Sequence, residues 1–264
     1  MTITPTQGQK SPKPPEDEFH YPSGDGKPMA ENDVCREQAI YCTDTLGQRY
    51  AHDPMVYVAG NNFIYYQEGN PKKVISPDVY VVFGVEKRLR KSYMAWNENG
   101  ILPAVVFEIT SASTWPEDSR KRSLYEEMGV TEYFQFDPVA DYLYPPLQGF
   151  RLLDGYYKPI PLEANPMLRR DFGQQETANG STSLCLRSEV LGLYLVQEGD
   201  WMRFYDAATG EPLLSARERA DAEGQARASA ERRAEAEAEA RMQLEAEVAR
   251  LRAELEELRH RQGT

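Results

Sequence analysis

The chain has 264 residues, with 42 acidic side chains against 30 basic ones and a formal net charge of −12, a balance that disfavours indiscriminate adhesion to nucleic acid. Its three cysteines, Cys35, Cys42 and Cys185, have no zinc-motif spacing and argue against a disulfide framework. No apolar run approaches a membrane span and no apolar signal segment opens the chain, so a soluble cytoplasmic protein is expected.

Residues 1–24, rich in Pro, Ser, Thr and Lys, are expected to be a disordered lead-in. Asn32 can cap a helix running to about Leu46, on which Cys35, Ala39, Cys42 and Leu46 form one apolar stripe. The two cysteines therefore read as small core residues. Strands are expected at Met55 to Ala59, Phe63 to Tyr66 and Val79 to Gly84, followed by a loop or short helix from Arg88 to Gly100. Ala104 to Ile109 is a further strand, and its apolar run predicts burial on both faces. Thr114 and Glu117 have capping-box spacing, Pro116 falls in the first turn, and Gly129 stops the helix that they start.

Glu132 to Asp137 reads as another strand. A hairpin follows, Leu147 to Leu153 and Tyr156 to Ile160, turning at Asp154-Gly155. Residues 164–187 read as a loop, and Leu191 to Val196 with Trp201 to Tyr205 as a second hairpin. The order of these elements around an apolar sheet indicates an α/β sandwich over residues 25–213. From 214 onward the composition shifts to Ala, Glu, Arg and Leu. Leu244, Val248, Leu251, Leu255 and Leu258 alternate steps of four and three, the seam of a coiled coil. Self-association through this helix, as a dimer, is the expected use; the alternative is a single charged helix held by Glu–Arg pairs.

Glu108 is the residue that points to chemistry, because a carboxylate inside Ala104–Ile109 must be paired, hydrogen-bonded or bound to a metal. Asp78 opens the preceding buried strand. Two such acids, with the backbone carbonyl of Ile109, would give the all-oxygen site that magnesium prefers. On the helix from Thr114, Asp118, Lys121, Arg122 and Tyr125 share one face, from which Lys121 could reach a phosphate at that metal. Leu124 and Met128 fall on the opposing side. Two basic clusters, 87–91 and 120–122, follow the two acidic strands and read either as solvated loops or as phosphate contacts. Three scattered histidines, no glycine-rich phosphate loop and no nucleophile elbow leave other hydrolytic chemistries without residues.

The segments Ser76-Pro77-Asp78-Val79-Tyr80-Val81-Val82, Val106-Phe107-Glu108-Ile109-Thr110-Ser111 and Glu117-Asp118, with Lys121, Tyr125 and Gly129-Val130 in order, resemble the Uma-type restriction-endonuclease family. That family belongs to the PD-(D/E)xK nuclease superfamily. Gly26 to Glu31 and Leu147 to Leu152 resemble it as well. The resemblance implies a restriction-endonuclease-like mixed sheet flanked by helices and phosphodiester cleavage of DNA with Mg²⁺ or Mn²⁺. It implies Asp78 and Glu108 as metal ligands and a lysine two residues after the glutamate, where this chain has Thr110. Lys121 is the expected substitute, and Glu37 on the first helix is a candidate third acid. The competing expectation is a nuclease-fold scaffold that does not cut and oligomerises through its coiled coil.

Overall fold

The computed structural model describes residues 20–24, 32–112, 115–164 and 184–262, with the side chains of 115–118, 256–257 and 259–262 left aside. The lead-in over residues 1–19, the Gly26–Glu31 segment and the caps expected from Thr114 and Glu117 lie outside the described residues. In chain order the elements begin with α1 (Asp33–Arg49), β1 (Val56–Ala59), β2 (Ile64–Tyr65), β3 (Val74–Ile75), β4 (Val79–Phe83), β5 (Tyr93–Met94) and a 3-10 turn at Ala95–Glu98. Then come β6 (Val105–Ile109), α2 (Trp115–Met128), β7 (Glu132–Phe136), β8 (Leu147–Leu153) and β9 (Tyr156–Pro159). The last are β10 (Glu163–Ala164), β11 (Leu184–Ser188), β12 (Leu193–Glu198), β13 (Trp201–Asp206) and α3 (Ala216–Gln262). The chain divides into two units, Met1–Leu213 and Leu214–Thr264.

The first unit is a mixed α/β structure built on a six-stranded sheet of order β1-β4-β6-β7-β8-β9. Only β6 and β7 run parallel, joined through α2; the other neighbours are antiparallel. Alternation along each strand feeds two cores. Val79, Val81, Val105, Phe107, Phe134 and Phe136 face a core shared with α1 and with the second sheet, β10-β11-β12-β13. Tyr80, Val82, Val106 and Tyr133 face the other, which holds Tyr125 of α2 and residues of the small sheet β3-β2-β5. A sheet covered on both faces has no polar side, which is why its strands read as unbroken apolar runs.

Asn32 caps α1 as expected, its side chain accepting the Cys35 N–H at 2.8 Å, and Cys35, Ala39, Cys42 and Leu46 are buried beneath it. The helix runs past Leu46 to Arg49, whose guanidinium meets Asp206 at 2.6 Å. Two polar side chains lock α1 to β13. The Gln38 amide bonds both the N–H and the carbonyl of Met202, at 3.0 and 2.9 Å. The Tyr41 hydroxyl accepts from Phe204 N–H at 3.1 Å and donates to Leu213 at 3.0 Å. At the end of α2, Gly129 takes φ +78°, the left-handed conformation expected of a helix stop.

One expectation fails. Residues 184–187, expected in a loop, belong to β11, because Leu186 packs into the first core, Cys185 and Ser188 are buried as well, and the strand pairs with β12. The two hairpins also part company: β8-β9 closes the main sheet, whereas β12-β13 builds a separate sheet.

In the second unit, Ser215 and Glu218 form a reciprocal cap for α3, with Ser215 N–H on the Glu218 carboxylate at 2.7 Å and Glu218 N–H on the serine hydroxyl at 3.3 Å. The helix has 47 residues and extends about 70 Å. Leu244, Val248, Leu251, Leu255 and Leu258 are exposed along it. Arg241–Glu245 and Arg250–Glu254 make i, i+4 pairs at 3.0 and 3.6 Å. No described helix is long and apolar enough to cross a membrane.

Candidate active site

The register of β4 against β6 pairs Val79 with Phe107 and Tyr80 with Val106. One step further along that ladder, Asp78 stands opposite Glu108. The Asp78 carboxylate accepts the Ile109 N–H at 2.7 Å, so the first acid is fastened to the strand that carries the second. Gly60 makes this approach possible. A Cβ there would lie 2.0 Å from the Asp78 carbonyl oxygen, so the β1–β2 connection can pass Asp78 only as glycine.

Glu108 is 2% exposed and both of its oxygens are engaged. Lys121 Nζ lies 2.7 Å from Oε2, and the Tyr125 hydroxyl donates to Oε1 at 2.6 Å. Both donors come from α2, one turn apart, and Tyr125 is completely buried. Burial, reinforced by the negative charge of Glu108, raises the Tyr125 hydroxyl well above the ordinary tyrosine range and keeps it a donor. The face bearing Lys121 and Tyr125 therefore points into the sheet, with Leu124 and Met128 packed beside it rather than opposite. Counting positions around a helix locates such a face without saying what it covers.

Other buried acids explain themselves structurally. Glu132 is fully buried on β7 but is held by Arg151 at 2.9 Å, by the Ser188 hydroxyl and by Glu189 N–H. Glu98 accepts from Arg88 at 2.6 Å and Arg90 at 2.9 Å, and the Arg90 hydrogen bond holds its carboxyl below the usual range. Asp137 accepts the N–H groups of Tyr142 and Leu143 through Oδ2 alone, and its buried Oδ1 has no partner among the described residues. Glu108 differs in that its described partners, an ammonium and a phenol, belong to a helix beside a second acid.

Two expected contributors stand elsewhere, and the threonine at the lysine position has a partner of its own. Glu37 is exposed and paired with Arg36 at 3.6 Å. The acid of α1 that faces Asp78 is Asp44, across a cleft of about 330 Å³ that also takes in Arg36, Thr43 and Asn61. Thr110 is 1% exposed, and its hydroxyl shares a 2.8 Å hydrogen bond with Tyr142, which leaves it no part of a lysine's reach. The basic run 87–91 follows the far end of β4, about 16 Å of strand from Asp78. Arg90 is spent there on Glu98, on the carbonyls of Glu86 and Arg88 and on the Tyr57 ring at 4.3 Å. Tyr125 is the member that composition did not single out; its i+4 spacing from Lys121 was the available signal.

The donor set suits a hard divalent ion. Two carboxylates converge on one strand end, and among the described residues no cluster of three or more His, Cys, Asp or Glu forms. The Asp78 and Glu108 carboxylates could hold an ion that keeps waters and takes one or two carboxylates plus substrate phosphate oxygens.

A family model described as "Putative restriction endonuclease" and named Uma2 matches residues 13–177, and the chain belongs to that family. No curated protein matches the chain. The crystal structure of a "putative nuclease belonging to DUF820" from Anabaena variabilis is similar over 53% of this chain and 72% of its own, at 13% identity and a TM-score of 0.36.

Proposed function

We propose that this member of the Uma2 family is a metal-dependent endodeoxyribonuclease that hydrolyses phosphodiester bonds. Asp78 and Glu108 hold the metal, Lys121 serves the scissile phosphate, and Tyr125 positions Glu108. The observation that carries this reading is the Glu108 carboxylate, buried at the end of an apolar strand between Lys121 and Tyr125, with Asp78 bonded to the next residue. When bound, magnesium or manganese would polarise a phosphate oxygen and lower the pKa of a bound water. The chain's own residues do the rest. Tyr125 fixes the orientation of Glu108, and the Ile109 N–H fixes that of Asp78. Lys121 supplies a positive charge that can neutralise either Glu108 or a phosphate oxygen. Because Lys121 comes from α2, the lysine missing at Thr110 does not by itself disarm the site.

The exposed apolar seam of α3 supports self-association as a coiled-coil dimer. Three buried, unlinked thiols fit a reducing cytoplasm. The second reading, a nuclease-fold scaffold assembled through α3, draws on the same seam and on the threonine at 110.

The test is supercoiled plasmid incubated with the wild-type chain and with Asp78→Ala, in magnesium, manganese or a chelator. Nicking by the wild type alone, and only with metal, supports the nuclease. Failure of both to cut, together with no calorimetric metal binding, favours the scaffold.

A further inference from the structure

The face of the main sheet beneath α2 is organised in rows that run across the strands. One row, Tyr80, Val106, Tyr133 and Phe150, is aromatic or aliphatic in every position and packs in the second core. The same ladders pair Glu108 with Gln135 and Gln135 with Gln148, and Asp78 adjoins Glu108 at the outer end. The adjacent row is thus Asp78, Glu108, Gln135 and Gln148, polar on four neighbouring strands. A change this abrupt between rows about 7 Å apart is not what a sheet face built only for packing would need.

Within that row Gln135 is unaccounted for. It is 4% exposed, and no hydrogen bond to its side chain forms among the described residues. Its amide nevertheless keeps some contact with solvent. Gln148 is already committed, its amide donating to Pro145 at 3.1 Å. An amide that touches solvent and finds no partner among the described residues is available to a ligand, and leucine would fill the position without that donor. Resting on the nuclease reading above, we infer that Gln135 is a subsite for the phosphodiester of nucleic acid, its amide N–H donating to a non-bridging phosphate oxygen beside Glu108. A neutral donor suits this place. The two carboxylates hold the cation and repel the phosphate, so the next group along the row must attract the anion without adding negative charge. A glutamate at 135 would make a third acid and oppose the substrate.

The experiment compares the full-length wild type, Gln135→Leu and Gln135→Glu. Binding of a labelled short DNA duplex is read by fluorescence anisotropy in calcium, KM and kcat by cleavage in magnesium, and folding by thermal unfolding. Gln135→Leu should raise the duplex Kd and KM by about 10- to 100-fold, the span of one hydrogen bond to a charged group, with kcat changed by less than about threefold. Its unfolding temperature should match or exceed the wild type, which a purely structural role would not allow. Gln135→Glu should bind duplex more weakly still. An unchanged Kd and KM in Gln135→Leu, in a wild type that cuts, overturns the subsite and leaves the nuclease standing. A wild type that binds duplex without cutting, weakened by Gln135→Leu, keeps the subsite and removes the nuclease. A wild type that does not bind duplex at all removes both.

Discussion

Replacing Lys121 by Met keeps the aliphatic stem and removes the ammonium 2.7 Å from Glu108, a carboxylate that is 2% exposed. Breaking a buried ion pair by removing one partner costs about 3–5 kcal/mol when both groups are buried. Lys121 is 23% exposed, so water can partly replace it, and about 2–3 kcal/mol is the expected loss. Glu108→Gln should cost a similar amount, because it strands the ammonium instead. The double variant removes both charges and should lose far less than the sum, giving a coupling of about 2 kcal/mol. Urea unfolding of the four proteins measures this. Magnesium adds a second reading: at about 10 mM, and for a dissociation constant near 1 mM, bound metal stabilises by about 1.4 kcal/mol. Lys121→Met should gain more from magnesium than the wild type, where the ammonium competes for Glu108, and Asp78→Ala should abolish the gain. A coupling under about 0.5 kcal/mol, or a magnesium gain indifferent to Asp78, would refute the geometry on which the site rests.

Gly60→Ala should destabilise by about 1–3 kcal/mol, since the new Cβ meets the Asp78 carbonyl at 2.0 Å and the backbone must move. Cleavage should fall by about 100-fold, because misplacing Asp78 by a fraction of an ångström is enough; unaltered activity would show that Asp78 is not critical. Glu98 has a depressed folded-state pKa through its hydrogen bond from Arg90. Its contribution is fully present above the ordinary glutamate value and is lost as pH falls through the folded one. The stability gap between wild type and Glu98→Gln, measured in urea, should therefore narrow as pH falls below the ordinary glutamate range, and a constant gap would contradict it. Removing residues 214–264 should lower the number of chains per particle, read by light scattering, while sparing metal binding; an unchanged oligomeric state would end the coiled-coil proposal.

Much of the fold was legible because its signals are local. Asn32, the stripe from Cys35 to Leu46, Gly129 and Asp154-Gly155 each specify one turn or one helix end through their own chemistry. Strand β11 was not legible, for its short run of mixed residues without a clear period is indistinguishable from a loop until β12 lies beside it. The site divides in the same way. A charge in an apolar run singled out Glu108, yet the same logic applies to Glu132, and only the distant Arg151 and Ser188 reveal that acid as structural. Glu37 and Asp44 could not be ranked from sequence, since which side of α1 meets Asp78 depends on how the helix packs. The row that ends in Gln135 and Gln148 exists only once four strands are in register.

The proposed lysine and its carboxylates belong to elements of unequal security. Asp78 and Glu108 are carried by interior strands of a sheet covered on both faces, whereas Lys121 rides on α2, which lies against one face only. Local opening of a peripheral helix requires less free energy than global unfolding. Such an opening would take the positive charge and the Tyr125 hydroxyl away from Glu108 together, leaving the sheet whole. The catalytic set would thus come apart before the fold does. A ligand that bound only the open helix would act as an off switch, with every strand still in place.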